Sequence, residues 1–187
     1  MKRLFPAHFP ALCTVALSLT IGLGSTHAKS EADTAAPWGI GIGGACQAGL
    51  AKMGATQQRT LEGGDTLHVA QGSNTLYPGA KEMSLRCSQG KVIALQLVAP
   101  KEGMGNPAAR AAYQALAQHY KKVAGGPIPQ LGDGYARFVK GASVIEIEAR
   151  HLDFDFTVTY LSQTFYDAIV QSNQKRAQER QAKRAGL

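Results

Sequence analysis

The chain has 187 residues and a formal charge of +7, with 20 lysines and arginines against 13 aspartates and glutamates. At 44 % hydrophobic and 18 % charged residues the composition is that of an ordinary globular domain, which excludes a disordered or fibrous chain. The basicity does not describe a nucleic-acid-binding face, because most of it sits in the last 13 residues, where Lys175, Arg176, Arg180, Lys183 and Arg184 face only Glu179.

Met1-Lys2-Arg3 is a basic start, Ala11 to Gly24 is an apolar run interrupted only by hydroxyl residues, and Thr26 and Ala28 are small. These three features predict a secretory signal peptide over 1–28 and a mature chain that begins at Lys29, in the periplasm or secreted. The run is too short to span a bilayer, and no longer one follows. Cys13 lies inside the apolar run after Leu12, which does not suit a lipidation site, and leaves with the peptide. Residues 29–37 are polar and Ala-rich and read as a flexible mature start, followed by a single domain over 38–172 and a basic solvated helix or tail over 173–187.

Ala45 to Met53 is expected to be a short helix with Cys46, Leu50 and Met53 on one face and Gly54 as its stop. Thr60 to Gln71 has strand character, with Leu67 and Val69 as the apolar positions. Met83 to Ala99 reads as a hairpin. A three-residue loop, Ser88-Gln89-Gly90, sets Leu85 opposite Ile93, whereas a two-residue loop would put Leu85 against Ala94 and spoil the apolar face. The three-residue-loop register points Cys87 toward the core, where the first helix offers Cys46. Two cysteines in an oxidising compartment predict one disulfide.

Asn106 to Val123 is predicted as the second helix, with Asn106 as N-cap, Pro107 at the first helical position and Ala109, Ala112, Tyr113, Leu116, Tyr120 and Val123 in one stripe. Tyr135 to Lys140, Val144 to Ala149 and Leu152 to Tyr160 read as strands, the last with Leu152, Phe154, Phe156, Val158 and Tyr160 on one side. Apolar positions change parity between the last two strands, which requires a turn or bulge near Ala149-Arg150. Thr164 is placed to cap a final helix that leaves the body after Val170. Short connections between strands predict an α+β fold: an antiparallel β-sheet with helices packed on one face, arranged as two similar helix-plus-three-strand units and tied by Cys46–Cys87.

The chemistry is sparse. Gly39, Gly41 and Gly44 spell G-x-G-x-x-G, but Ala35-Ala36-Pro37-Trp38 is not the buried strand that a dinucleotide site needs. No G-x-S-x-G, H-E-x-x-H or C-x-x-C occurs in the sequence. His68, His119 and His151 read as surface residues. The sharper constellation is the last hairpin. Pairing Ile147 with Leu152 sets Glu148 opposite His151 and Glu146 opposite Asp153, with Asp155 next along. Like charges opposed in a sheet cost stability, so a cation, a basic partner, or Arg137 and Arg150 must offset them. Such alternation is also what a one-sided sheet turns to water.

No catalytic, cofactor-binding or metal-ligating residue is assigned. The leading expectation is an exported, non-enzymatic binding protein. Its partner is a protein or cell-envelope component, as for an inhibitor or immunity-type protein, with Glu146, Glu148, His151, Asp153 and Asp155 as the candidate face. Helix-plus-antiparallel-sheet architecture resembles that of small exported inhibitor and binding modules. The alternatives are a small periplasmic hydrolase using carboxylates and His151, and a structural envelope protein whose tail makes weak contact with an anionic surface. Neither nucleic acid nor a membrane span is expected.

Overall fold

The computed structural model describes residues 33–186 apart from Thr56 and Met104; the predicted signal peptide and the first mature residues lie outside that range. Eight strands form a single antiparallel sheet: β1 (Gln57–Thr60), β2 (Thr66–Gln71), β3 (Glu82–Ser88), β4 (Lys91–Pro100), β5 (Lys121–Gly125), β6 (Gly134–Lys140), β7 (Ser143–Ala149) and β8 (Asp155–Ser162). Three helices complete the fold: α1 (Cys46–Met53), α2 (Pro107–His119) and α3 (Gln163–Ala185). The sheet order is β1-β2-β3-β4-β8-β7-β6-β5, which is two four-stranded meanders joined along β4 and β8. Each meander follows one helix, so the unit is a helix plus four strands, not three. The halves are related by a pseudo-two-fold between β4 and β8. The fourth strand of the second unit is β5, cut from the expected end of the second helix. The helix stops at His119, and Lys121 to Gly125 pairs with β6 instead.

One face of the sheet is apolar. Ala70 and Met83, Leu85 and Leu95, Leu97 and Val158, Ile145 and Tyr160, and Ala136 and Ile147 are cross-strand partners, and all are buried. Both α1 and α2 cover this face. Gly49 of α1 lies so close to Ile40, Leu85 and Val92 that an added Cβ would sit 3.2–3.4 Å from their methyl carbons. Tyr113 of α2 packs its ring 5.7 Å from that of Phe138, beside the buried Ala109 and Leu116. α3 differs. Its first turn meets the opposite face, where Arg86 stacks on Phe165 and Arg137 on Tyr166 at 4.7 and 4.9 Å. From Gln171 onward the described side chains of α3 are exposed.

Several local expectations are corrected. The hairpin turn is the two-residue Gln89–Gly90, both at positive φ, and not a three-residue loop. Leu85 faces Leu95, because Ile93 bulges out of β4 and restores the apolar phase that a plain two-residue turn would have spoiled. In β2 the phase is inverted: His68 and Ala70 are buried while Leu67 and Val69 lie on the open face, since β3 sets the register by pairing His68 with Leu85. Asn106 adopts a left-handed conformation and does not cap α2 with its side chain; its Nδ2 donates to the Pro129 carbonyl at 3.0 Å. Ser162, not Thr164, caps α3, accepting from the Phe165 amide. Residues 33–37 are anchored: Ala35 is fully buried and its amide donates to Ser143 Oγ at 3.0 Å.

Candidate functional site

The five residues expected to form one acidic face are not brought together. β7 and β8 pair Ile147 with Val158, so Glu146 and Glu148 face Thr159 and Thr157. Residues 150–154 form a loop, and His151 and Asp153 lie in it. The predicted opposition of Glu148 with His151 and of Glu146 with Asp153 therefore does not occur. The reason is that Leu152 and Phe154 do not continue the apolar side of β8; the strand begins at Asp155.

Each of the three candidate carboxylates on the sheet, Glu146, Glu148 and Asp155, has a cation of its own chain. Glu146 Oε1 accepts from Arg137 Nε at 3.0 Å and from the Tyr135 hydroxyl at 2.6 Å. Burial and the Glu146 carboxylate push the Tyr135 phenol up to about 12, so this hydroxyl remains a proton donor across the physiological range. Glu148 pairs with Arg150 at 3.3 Å, and Asp155 with Lys81 at 2.6 Å. Charge repulsion along the open face is thus offset by arginine and lysine from neighbouring positions.

The loop 150–154 is the more distinctive surface. By the pseudo-two-fold it stands where the first half has its tight Gln89–Gly90 turn, and its extra residues project two large apolar side chains. Leu152 is 87 % exposed and Phe154 89 %, with Leu131 of the preceding β5–β6 connection at 69 %. The loop is nevertheless held firmly. The His151 amide donates to Asp133 Oδ1 at 2.6 Å, and the Gly132 amide to His151 Nδ1 at 3.2 Å. The Lys101 amide donates to the Phe154 carbonyl at 3.0 Å, and Lys101 Nζ to the carbonyl of Arg150. Beside it opens a cleft of about 360 Å³ between Lys101, Asn106, Leu131, His151, Asp153 and Phe154. Sequence periodicity missed this site because it assigned both exposed side chains to the core.

The opposite end of the sheet carries the disulfide. Cys46 and Cys87 are bonded with Cα atoms 5.9 Å apart, as their placement on α1 and β3 implied. His68 lies beside them, buried, with Nε2 3.1 Å from Thr66 Oγ1. Burial holds its imidazole below the ordinary histidine range. The inverted phase of β2 is what turned this side chain inward, contrary to the surface position expected for it. The glycine-rich segment before α1 serves that same end. Gly43 donates to Val92, Val92 to Gly44 and Cys46 to Gly90, which straps α1 onto the β3–β4 turn. All strand pairings between the named strands are antiparallel, so the segment lacks the parallel crossover of a dinucleotide site.

Among the described residues, no helix is long and apolar enough to cross a membrane. Set against family models, curated proteins and solved structures, the chain matches none of them.

Proposed function

We propose that this chain is an exported, periplasmic binding protein without catalytic chemistry of its own, and that it grips a protein partner through the loop cluster around Leu131, Leu152 and Phe154. The observation that carries this reading is the near-complete exposure of Leu152 and Phe154 on a loop tied down by two neighbouring segments, at Gly132–Asp133 and at Lys101. Exposed apolar side chains favour desolvation by a partner, and a loop already rigid loses little entropy when bound. Asp133, Arg150, His151 and Asp153 surround the apolar tip with mixed charge, the arrangement of a polar rim around an apolar centre. A projecting, rigid tip suits insertion into a cleft, and an inhibitor or immunity-type role is the version it supports best. Within the earlier candidate face, His151 and Asp153 belong to this cluster. Glu146, Glu148 and Asp155 serve the sheet through ion pairs within the chain, so the hydrolase reading would have to rest on His151 with Asp133 and Asp153.

The test is site-specific photo-crosslinking of the exported protein in its native compartment. A photoreactive residue at Leu152 should give a discrete protein adduct, and one at Glu62, at the far end of the sheet, should not. Phe154→Asp should abolish the adduct while leaving the melting temperature unchanged. Crosslinks to lipid alone, or equal labelling from both positions, would refute the reading.

A further inference from the structure

At the buried end of the sheet the imidazole of His68 stands against the two sulfurs of the disulfide. A sulfur from Cys46, a sulfur from Cys87 and a ring nitrogen of His68 all lie within 4.8 Å of one another. They come from α1, β3 and β2, three elements fixed by the same core. A cleft of about 710 Å³ reaches the cluster from solvent, lined by Cys46, Leu50, Thr66, His68 and Cys87 among others. Apart from His68, no side chain lining it can ionise while the cysteines are bonded.

We propose that Cys46, His68 and Cys87 form a zinc site in the reduced protein, to which the Cys46–Cys87 disulfide is the closed alternative. Two thiolates and one imidazole are a zinc donor set, and three protein ligands with an open fourth position are the pattern of zinc sites that keep a bound water. The cleft supplies the fourth position and the entry path. The Cα separation of 5.9 Å is compatible with two thiolates about 3.8 Å apart around one tetrahedral ion with Zn–S bonds of about 2.3 Å. Two thiolates also cancel the charge of Zn²⁺, so the loaded centre is neutral and its burial avoids the cost of an isolated ion. The Thr66 hydroxyl, 3.1 Å from Nε2, orients the His68 ring.

The two states exclude each other. An external dithiol reduces the bond by thiol–disulfide exchange: the S–S bond of the protein breaks, that of the reductant forms, and two protein thiols result. Zinc then displaces two protons as the thiolates bind. An external disulfide reverses this by the same exchange: its S–S bond breaks and takes up the two electrons as two thiols, the Cys46–Cys87 bond forms, and the ion is released.

The mature protein, reduced with a phosphine under nitrogen and desalted, is titrated with Co²⁺ and then with Zn²⁺. One equivalent of Co²⁺ should produce the thiolate charge-transfer and red d–d bands of a tetrahedral site, and Zn²⁺ should bleach them. The oxidised protein should give no such spectrum. His68→Ala, whose fold is verified in its oxidised form, should weaken binding of Co²⁺ by at least about tenfold when reduced. Far-ultraviolet circular dichroism follows the reduced chain with and without Zn²⁺, which should hold or restore its native spectrum. The proposal fails if the reduced protein gives no tetrahedral spectrum, if His68→Ala binds as tightly as the parent, or if zinc leaves an unfolded reduced chain unfolded. None of these outcomes bears on the loop cluster at the other end of the sheet.

Discussion

Phe154 and Phe156 are two residues apart, share one side chain and sit in opposite environments, which makes their truncation a direct test of where β8 begins. Phe156 is 1 % exposed and lies across from Ala99 in the apolar layer. Its replacement by alanine removes a packed ring and leaves a void, at a cost of about 3–5 kcal/mol. Phe154 keeps only about a tenth of its surface covered. Against about 3 kcal/mol for burying a whole phenylalanine side chain, Phe154→Ala should cost on the order of 0.3 kcal/mol. For a domain of this size roughly 2–4 °C of melting temperature accompanies each kcal/mol. Phe156→Ala should therefore lower the midpoint by on the order of 10 °C, and Phe154→Ala by about 1 °C. Thermal melts by circular dichroism, with urea midpoints as a second measure, decide the matter. Similar losses from both variants would mean that Phe154 packs inside. The loop would then be a continuation of β8, and its proposed role as a binding tip would go with it.

The same logic applies to α2, where Leu116→Ala should cost about 2–5 kcal/mol and Gln118→Ala within roughly 0.5, because Leu116 is buried and Gln118 exposed; equal shifts in urea midpoint would refute the helical phase. The disulfide closes a sequence separation of 41 residues. The Cys46→Ala/Cys87→Ala double variant should lose about 4 kcal/mol in the chain-entropy estimate, and an unchanged denaturation curve would contradict it. Asp65 is held below the ordinary carboxylate range by a hydrogen bond with the Ser88 side chain and by Arg86, which donates from Nε at 2.9 Å and Nη2 at 2.7 Å, against the opposing effect of burial. A depressed folded pKa stabilises above the unfolded value of 3.8, and that stability is lost as pH falls through the folded value. Asp65→Asn should accordingly flatten the acid limb of a stability–pH curve below about pH 4 and lower stability at neutral pH; an acid limb identical to the parent's would contradict the assignment.

The sequence by itself determined the elements whose signals are local. Gly54 stops α1 in a left-handed conformation, Pro107 opens α2, and the alternation of Met83, Leu85 and Cys87 turns one face of β3 inward. The α+β class and the disulfide followed from these, since two inward cysteines on packed elements have few other places to go. Tertiary pairing decided everything that depends on a neighbour. His68 is buried because β2 takes its register from β3, although Leu67 and Val69 are the more apolar residues. Lys121 to Gly125 is a strand because the free edge of β6 can bond it, although the helical pattern runs on to Val123. Leu152 and Phe154 continue the parity of β8 on paper, yet the partner strand β7 ends at Ala149, and with only the Lys101 amide bonding the Phe154 carbonyl from the other side both side chains turn outward. A period of two states which residues can share a face. Whether that face meets a core or water is set by the strands and helices that arrive beside it from elsewhere in the chain.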